Sequence, residues 1–69
     1  MPYVRDMHPQ ELQLYATCDR RLTPMRIAEI EAAVATGSAL TMECSTVRDA
    51  REFTRVLLDG REVAYAEGY

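Results

Sequence analysis

A helix with a clear signal at each end constrains the fold of this chain more than any other feature. Thr23 is a preferred N-cap residue, Pro24 suits the first helical position, and Gly37 is a preferred terminating residue. The segment between them is rich in strong helix formers. We therefore predict a helix over residues 25–36.

This helix has two non-polar faces. Ile27, Ile30 and Val34 recur at helical spacing and form an aliphatic stripe suited to a core. A second stripe lies about a third of a turn or more away, at ~100° per residue, and Glu31 divides the two on one side. The second stripe contains Met25, Ala28, Ala32 and Ala35. One face can pack on a sheet, while the other either packs against a second helix or is left for a partner.

The region before this helix allows two interpretations. A helix over residues 9–18 places Leu12, Tyr15 and Ala16 on one face, whereas a strand makes alternate residues from Leu12 to Cys18 apolar. The proline at the start and the Gln and Glu of the first turn favour the helix. Residues 1–8 are expected to form a flexible arm or an edge strand.

The chain after Gly37 predicts a βαβ unit. Residues 39–44 alternate between apolar and polar side chains, as in a half-buried strand. Ser45 or Thr46 then precedes a segment predicted as a helix to about Leu58, ended by Asp59-Gly60, and a short strand follows over residues 62–66. The inward positions of that helix are Val47, Ala50, Phe53, Thr54, Leu57 and Leu58.

These elements predict one small α+β domain over residues 1–69. Its element order is ααβαβ, with a C-terminal βαβ unit and a small sheet. A faint similarity between residues 14–18 and 40–44, each followed by a capped segment, leaves a βαβαβ repeat as the alternative.

Composition bounds the class of function. The net charge is −3 with a pI near 5.0, and this balance disfavours binding to duplex nucleic acid. No apolar run approaches the ~18 residues that a membrane span needs, and no secretory leader pattern precedes the two cysteines. The sequence therefore predicts a cytoplasmic protein without a membrane-bound part.

The residues that carry chemistry do not cluster. His8 is the sole histidine, and it lies beside a proline in the N-terminal region. Cys18 and Cys44 are far apart and lack the close spacing of metal ligands. We expect no catalytic residue, no metal and no cofactor, and hence no enzyme.

A charged stripe is the first candidate for partner binding. In a helix, Arg48, Arg51 and Arg55 fall within about 60° of one another, and the guanidinium fork suits a partner's carboxylates or phosphates. The simpler interpretation is a solvated face, in which Glu52 pairs with Arg48 and Arg55.

A second candidate surface is apolar. It contains the second stripe of the helix over residues 25–36, together with Tyr65 and Tyr69, since tyrosine is favoured at interfaces. A chain this short buries limited apolar surface, and a homodimer would bury more of it, which favours self-association.

The expected function is binding of another protein. Short, acidic chains without motifs are typical of phage and mobile-element accessory proteins that inhibit a host protein complex, as anti-CRISPR proteins do. The alternative is a nucleic-acid-associated regulator that uses the arginine stripe.

Overall fold

The computed structural model describes residues 3–47 and 50–67 of the chain. Within them, two helices pack on a four-stranded sheet, which confirms the α+β class. None of the described helices is long and apolar enough to cross a membrane. The elements in chain order are β1 (Tyr3–Asp6), a 3₁₀ turn (Pro9–Glu11), α1 (Leu12–Ala16), α2 (Pro24–Ala35), β2 (Leu40–Val47), β3 (Ala50–Leu58) and β4 (Arg61–Glu67).

Helix α2 begins and ends within one residue of the predicted bounds, at Pro24 and Ala35. The Oγ1 atom of Thr23 accepts a hydrogen bond from the backbone N–H of Arg26 at 3.1 Å, and Pro24 holds the first helical position. Gly37 follows the helix with a φ of +113°, a conformation that residues with side chains rarely adopt. Ile27 and Ile30 are buried, so the aliphatic stripe is the face that packs on the core.

The Thr23→Ala variant is expected to lower the free energy of unfolding by about 1 kcal/mol, because the N–H of Arg26 loses its side-chain acceptor. The Thr23→Ser variant keeps the hydroxyl and should stay close to wild type. Urea unfolding followed by circular dichroism measures both. An equal loss in the serine variant would show that the methyl group of Thr23, and not its cap, stabilises the helix.

The segment before α2 is helical, as favoured from the sequence. Leu12 and Tyr15 of α1 are buried, whereas Leu14 and Cys18 are exposed. The helical entry is held by a reciprocal cap. Nδ1 of His8 accepts from the N–H of Gln10 at 3.2 Å, and the carboxylate of Glu11 accepts from the N–H of His8 at 2.9 Å.

The described strands form one antiparallel sheet in the order β1-β2-β3-β4. Strand β1 is an edge strand, which is one of the two expectations for the N-terminal residues. Helices α1 and α2 cover one face of the sheet, where the hydroxyl of Tyr15 donates to the sulfur of Met42 at 3.3 Å. The buried strand residues on this side are Leu40, Met42, Cys44, Thr54, Val56, Val63, Ala64 and Ala66.

The predicted helix over residues 46–58 is wrong, and with it the C-terminal βαβ unit and the βαβαβ alternative. Residues Ala50–Leu58 form strand β3, which pairs antiparallel with both neighbours. One local signal for this strand is the pair Asp59 and Gly60, whose φ angles of +51° and +84° make a two-residue hairpin turn of type I′. Asp-Gly is compatible with the predicted helix end, but between two apolar runs it is also a strong hairpin signal.

Two β-bulges adjust the sheet. Glu52 is the extra residue on β3, since Phe53 pairs with Ser45 and Arg51 pairs with Thr46. Val63 is the extra residue on β4, since Ala64 pairs with Val56 and Glu62 pairs with Leu57. The second bulge explains why the consecutive residues Val63 and Ala64 are both buried.

Candidate functional site

The sheet face opposite the helices has no covering layer among residues 3–47 and 50–67. Side chains along each strand alternate between the two faces, so the residues between the buried ones point away from the helices. We call this side the open face. Its described residues are Val4, Asp6, Thr41, Glu43, Ser45, Phe53, Arg55, Leu57, Glu62, Tyr65 and Glu67.

An aromatic pair with a guanidinium above it occupies the centre of the open face. The rings of Phe53 and Tyr65 stack with their centroids 6.1 Å apart and their planes at 20°. The guanidinium carbon of Arg55 lies 5.4 Å from the centroid of Phe53, within the range of a cation–π contact. All three residues are half-buried, so they keep surface available for contact.

Arg55 is also held by carboxylates from both neighbouring strands. Its Nη1 donates to Oε1 of Glu43 at 3.3 Å, and the two residues are direct partners across β2 and β3. Its Nε lies 2.9 Å from Oε1 of Glu62, in charge contact but outside the angle of a well-aligned hydrogen bond. Two anionic partners and an aromatic ring fix the direction of this side chain.

The ion-pair network continues around the β4 edge. Glu62 also accepts from Nη2 of Arg21 at 3.0 Å, and that nitrogen donates to Oδ2 of Asp19 at 2.7 Å. The same Asp19 oxygen accepts from the backbone N–H of Tyr65 at 2.9 Å. The Arg21 guanidinium, assisted by the backbone N–H groups of Arg21 and Tyr65, holds the pKa of Asp19 at about 2. The loop after α1 thus binds the outer edge of β4.

The arginine stripe is not on a helix. Arg51 and Arg55 lie in β3, and Arg48 lies outside the described residues. The backbone of Glu52 forms the bulge, and nothing is described of the side chains of Arg51 and Glu52. The described partners of Arg55 are Glu43 and Glu62, not the helical partner Glu52.

The apolar candidates divide between two sides of the molecule. Met25, at 75% exposure, and the alanines at 28, 32 and 35 are exposed on α2, so the second stripe does not pack against α1. Tyr65 lies on the open face of the sheet, which the helices do not reach, and Tyr69 lies outside the described residues. The structure therefore does not bring Tyr65 and the α2 stripe together.

Sequence reasoning missed most of the central cluster. The sequence predicts Phe53 on the inward face of a helix and indicates no role in binding for Glu43 and Glu62. The signal that could have found Phe53 and Glu62 was Asp59-Gly60, because a two-residue hairpin there pairs β3 with β4.

A surface cavity of about 590 Å³ lies between the start of α2 and the β3–β4 turn. Its carboxylates have internal partners: Asp59 accepts from the N–H of Ala39 at 2.9 Å, and Glu62 holds Arg21 and Arg55. It is lined by Arg26, Leu58, Asp59, Arg61, Glu62 and Val63, none of which is a histidine, cysteine, serine or threonine.

Neither a metal centre nor a nucleophile–base pair is evident among residues 3–47 and 50–67. No three His, Cys, Asp or Glu side chains converge there as metal ligands. His8 uses Nδ1 in the helix cap, while Cys18 is exposed and Cys44 is buried. Comparison of the chain with models of known protein families, with curated proteins and with solved structures finds no match.

Proposed function

We propose that this chain is a small protein-binding module whose recognition surface is the open face of the sheet. The observation that carries the proposal is the cluster in which Phe53 stacks on Tyr65 and Arg55 lies over Phe53. Tyrosine and arginine supply much of the binding energy at protein interfaces, where rigid aromatic rings bury large areas. The pairs that hold Arg55 arrange this cluster before a partner arrives, which lowers the entropic cost of binding.

Charge complementarity indicates a basic partner surface. The described side chains of the open face include four carboxylates, from Asp6, Glu43, Glu62 and Glu67, against the single guanidinium of Arg55. The whole chain carries a net charge of −3 as well. A surface with this balance attracts lysine- and arginine-bearing partners and repels phosphates.

A finer proposal concerns what such binding does. Proteins that hold nucleic acid present basic surfaces, and an acidic face placed on such a surface excludes the nucleic acid. We propose that this chain acts in this way, as an inhibitor of a host nucleic-acid-binding complex that is encoded by a phage or another mobile element. The charge of the open face supports this proposal over a nucleic-acid-binding role, because Arg55 is already held by two carboxylates.

The binding proposal is tested first with two open-face variants, Tyr65→Ala and Glu67→Arg. The chain is immobilised, exposed to a host-cell lysate, and the captured protein is identified, purified and titrated by calorimetry. We expect a protein with a basic surface, whose Kd rises about tenfold or more with either variant, since each removes a contact group from the face. Raising the salt concentration should slow the association rate.

Matched controls lie on α2. Met25→Ala removes an exposed apolar side chain, and Glu31→Arg changes the net charge as much as Glu67→Arg does, yet both lie on the helical side. Both controls should bind as wild type. A partner whose affinity falls with the α2 variants and not with the open-face variants contradicts the proposal.

Nucleic acid is a separate outcome of the same titration. Binding of duplex DNA through three arginines predicts a log–log salt slope of about −2.7. Such a slope, with no protein captured, would overturn the protein-binding proposal in favour of the alternative.

A further inference from the structure

The two edges of the sheet differ in whether another described segment of the chain lies against them. On β4, Asp19 accepts the N–H of Tyr65 at 2.9 Å, so an incoming strand meets the α1–α2 loop there. On β1, no described element covers the outer side, and Tyr3 and Val4 are 56% and 55% exposed. The sheet therefore has one blocked edge and one open edge, and open edges are sites of strand addition.

The register identifies the outward groups of β1. The N–H of Met7 donates to the carbonyl of Leu40 at 3.0 Å, directly continuing the β1–β2 register. Hydrogen-bonded pairs alternate along an antiparallel ladder, so Arg5 and Tyr3 also face β2, while Val4 and Asp6 direct their N–H and C=O groups outward. The carbonyl of Asp6 accepts from Nη1 of Arg5 at 2.9 Å, which agrees with that direction.

We propose that β1 pairs antiparallel with β1 of a second copy of this chain, about a two-fold axis at Val4. Each Val4 then donates its N–H to the other's carbonyl, and the two valine side chains meet on the open-face side. Tyr3 lies opposite Arg5 of the second copy on the helical side, where the guanidinium that Glu11 binds at 2.9 Å also contacts the aromatic ring. This register complements itself, which is what a two-fold interface requires.

The symmetric registers with an axis at Arg5 or at Asp6 are less favourable. An axis at Arg5 places two guanidinium groups opposite each other, and an axis at Asp6 does the same with two carboxylates. Both also need the Asp6 carbonyl, which Arg5 already occupies. Because β4 is blocked, pairing at β1 ends with two chains. The product is one eight-stranded sheet with both open faces on the same side.

A proline at position 4 tests the interface without disturbing β1–β2 pairing. Val4→Pro removes an N–H that points away from β2, a position where an edge strand tolerates proline. Size-exclusion chromatography with light scattering should find wild type and Val4→Thr dimeric and Val4→Pro monomeric, all with similar circular dichroism. A monomeric wild type at high micromolar concentration overturns the proposal, as does a folded Val4→Pro variant that still dimerises.

Cross-linking tests the register independently of the proline. In a Cys18→Ser background, the proposed register places the Cα atoms of the two introduced cysteines about 5.5 Å apart in Val4→Cys. In Asp6→Cys the corresponding Cα atoms are about 14 Å apart. A short bismaleimide should link the first variant to a dimer far faster than the second. Equal rates, or faster linking of Asp6→Cys, overturn the proposed register.

Discussion

The Ile30→Ala variant is expected to lower the free energy of unfolding by about 3 to 4 kcal/mol, because it leaves a cavity beneath α2. Ile30 is 0% exposed, and α2 attaches to the core chiefly through this residue and Ile27, with Val34 packed partly against it. A chain of 69 residues has a total stability of about 3 to 10 kcal/mol. The variant should therefore be partly or wholly unfolded at room temperature.

Urea unfolding followed by far-UV circular dichroism and tyrosine fluorescence measures this loss, since the chain has no tryptophan. Met25→Ala is the matched control: it shortens an apolar side chain on the same helix that is 75% exposed. The control should change the free energy of unfolding by less than about 0.5 kcal/mol. A loss below about 1 kcal/mol in Ile30→Ala would mean that α2 contributes little to the core.

The importance of Ile30 could be predicted from the sequence because the signals of α2 are local. Thr23, Pro24 and Gly37 fix its ends within a few residues, and the aliphatic stripe fixes which face is buried. The strand over residues 39–44 was predicted for a similar reason, and Leu40, Met42 and Cys44 are its buried residues. Local signals sufficed wherever one face of an element is apolar and the other is polar.

Strand β3 was missed because both of its faces carry non-polar side chains. Val56 faces the core, and Phe53 and Leu57 lie on the open face, so the segment fits a helical period as well as an alternating one. What makes it a strand is pairing on both sides, which depends on distant residues.

The candidate site was only partly predictable for the same reason. Arg55 was singled out, but its partner Glu43 is twelve residues away and is brought beside it by the β2–β3 register. The bulge at Glu52 shifts that register, and no local composition rule places it. A surface assembled from three strands becomes visible only when the pairing is known.

The Asp19→Ala variant is expected to lower the free energy of unfolding by about 2 to 3 kcal/mol. The side chain of Asp19, 10% exposed, accepts the N–H of Tyr65 and binds the Arg21 guanidinium, and the variant removes both interactions at once. Asp19→Asn keeps a carbonyl oxygen that can accept the N–H of Tyr65, so it should lose less. Chemical unfolding at neutral pH gives both values. An Asn variant as unstable as the Ala variant would show that charge alone matters here.

The stabilisation by Asp19 should also disappear in acid. The pKa of this carboxyl is about 2 in the folded chain and about 3.9 in an unfolded one, so the folded state is stabilised above about pH 4 and loses about 2 kcal/mol as the pH falls towards 2. The difference in unfolding free energy between wild type and Asp19→Asn should shrink over that range; a constant difference would contradict this prediction.

Loss of the Asp19 side chain should also open the β4 edge of the sheet, which this residue blocks. With β1 open as well, two open edges permit chains to add without limit. Asp19→Ala should therefore scatter light progressively at high concentration, and adding Val4→Pro should halt that growth, since it removes the other edge.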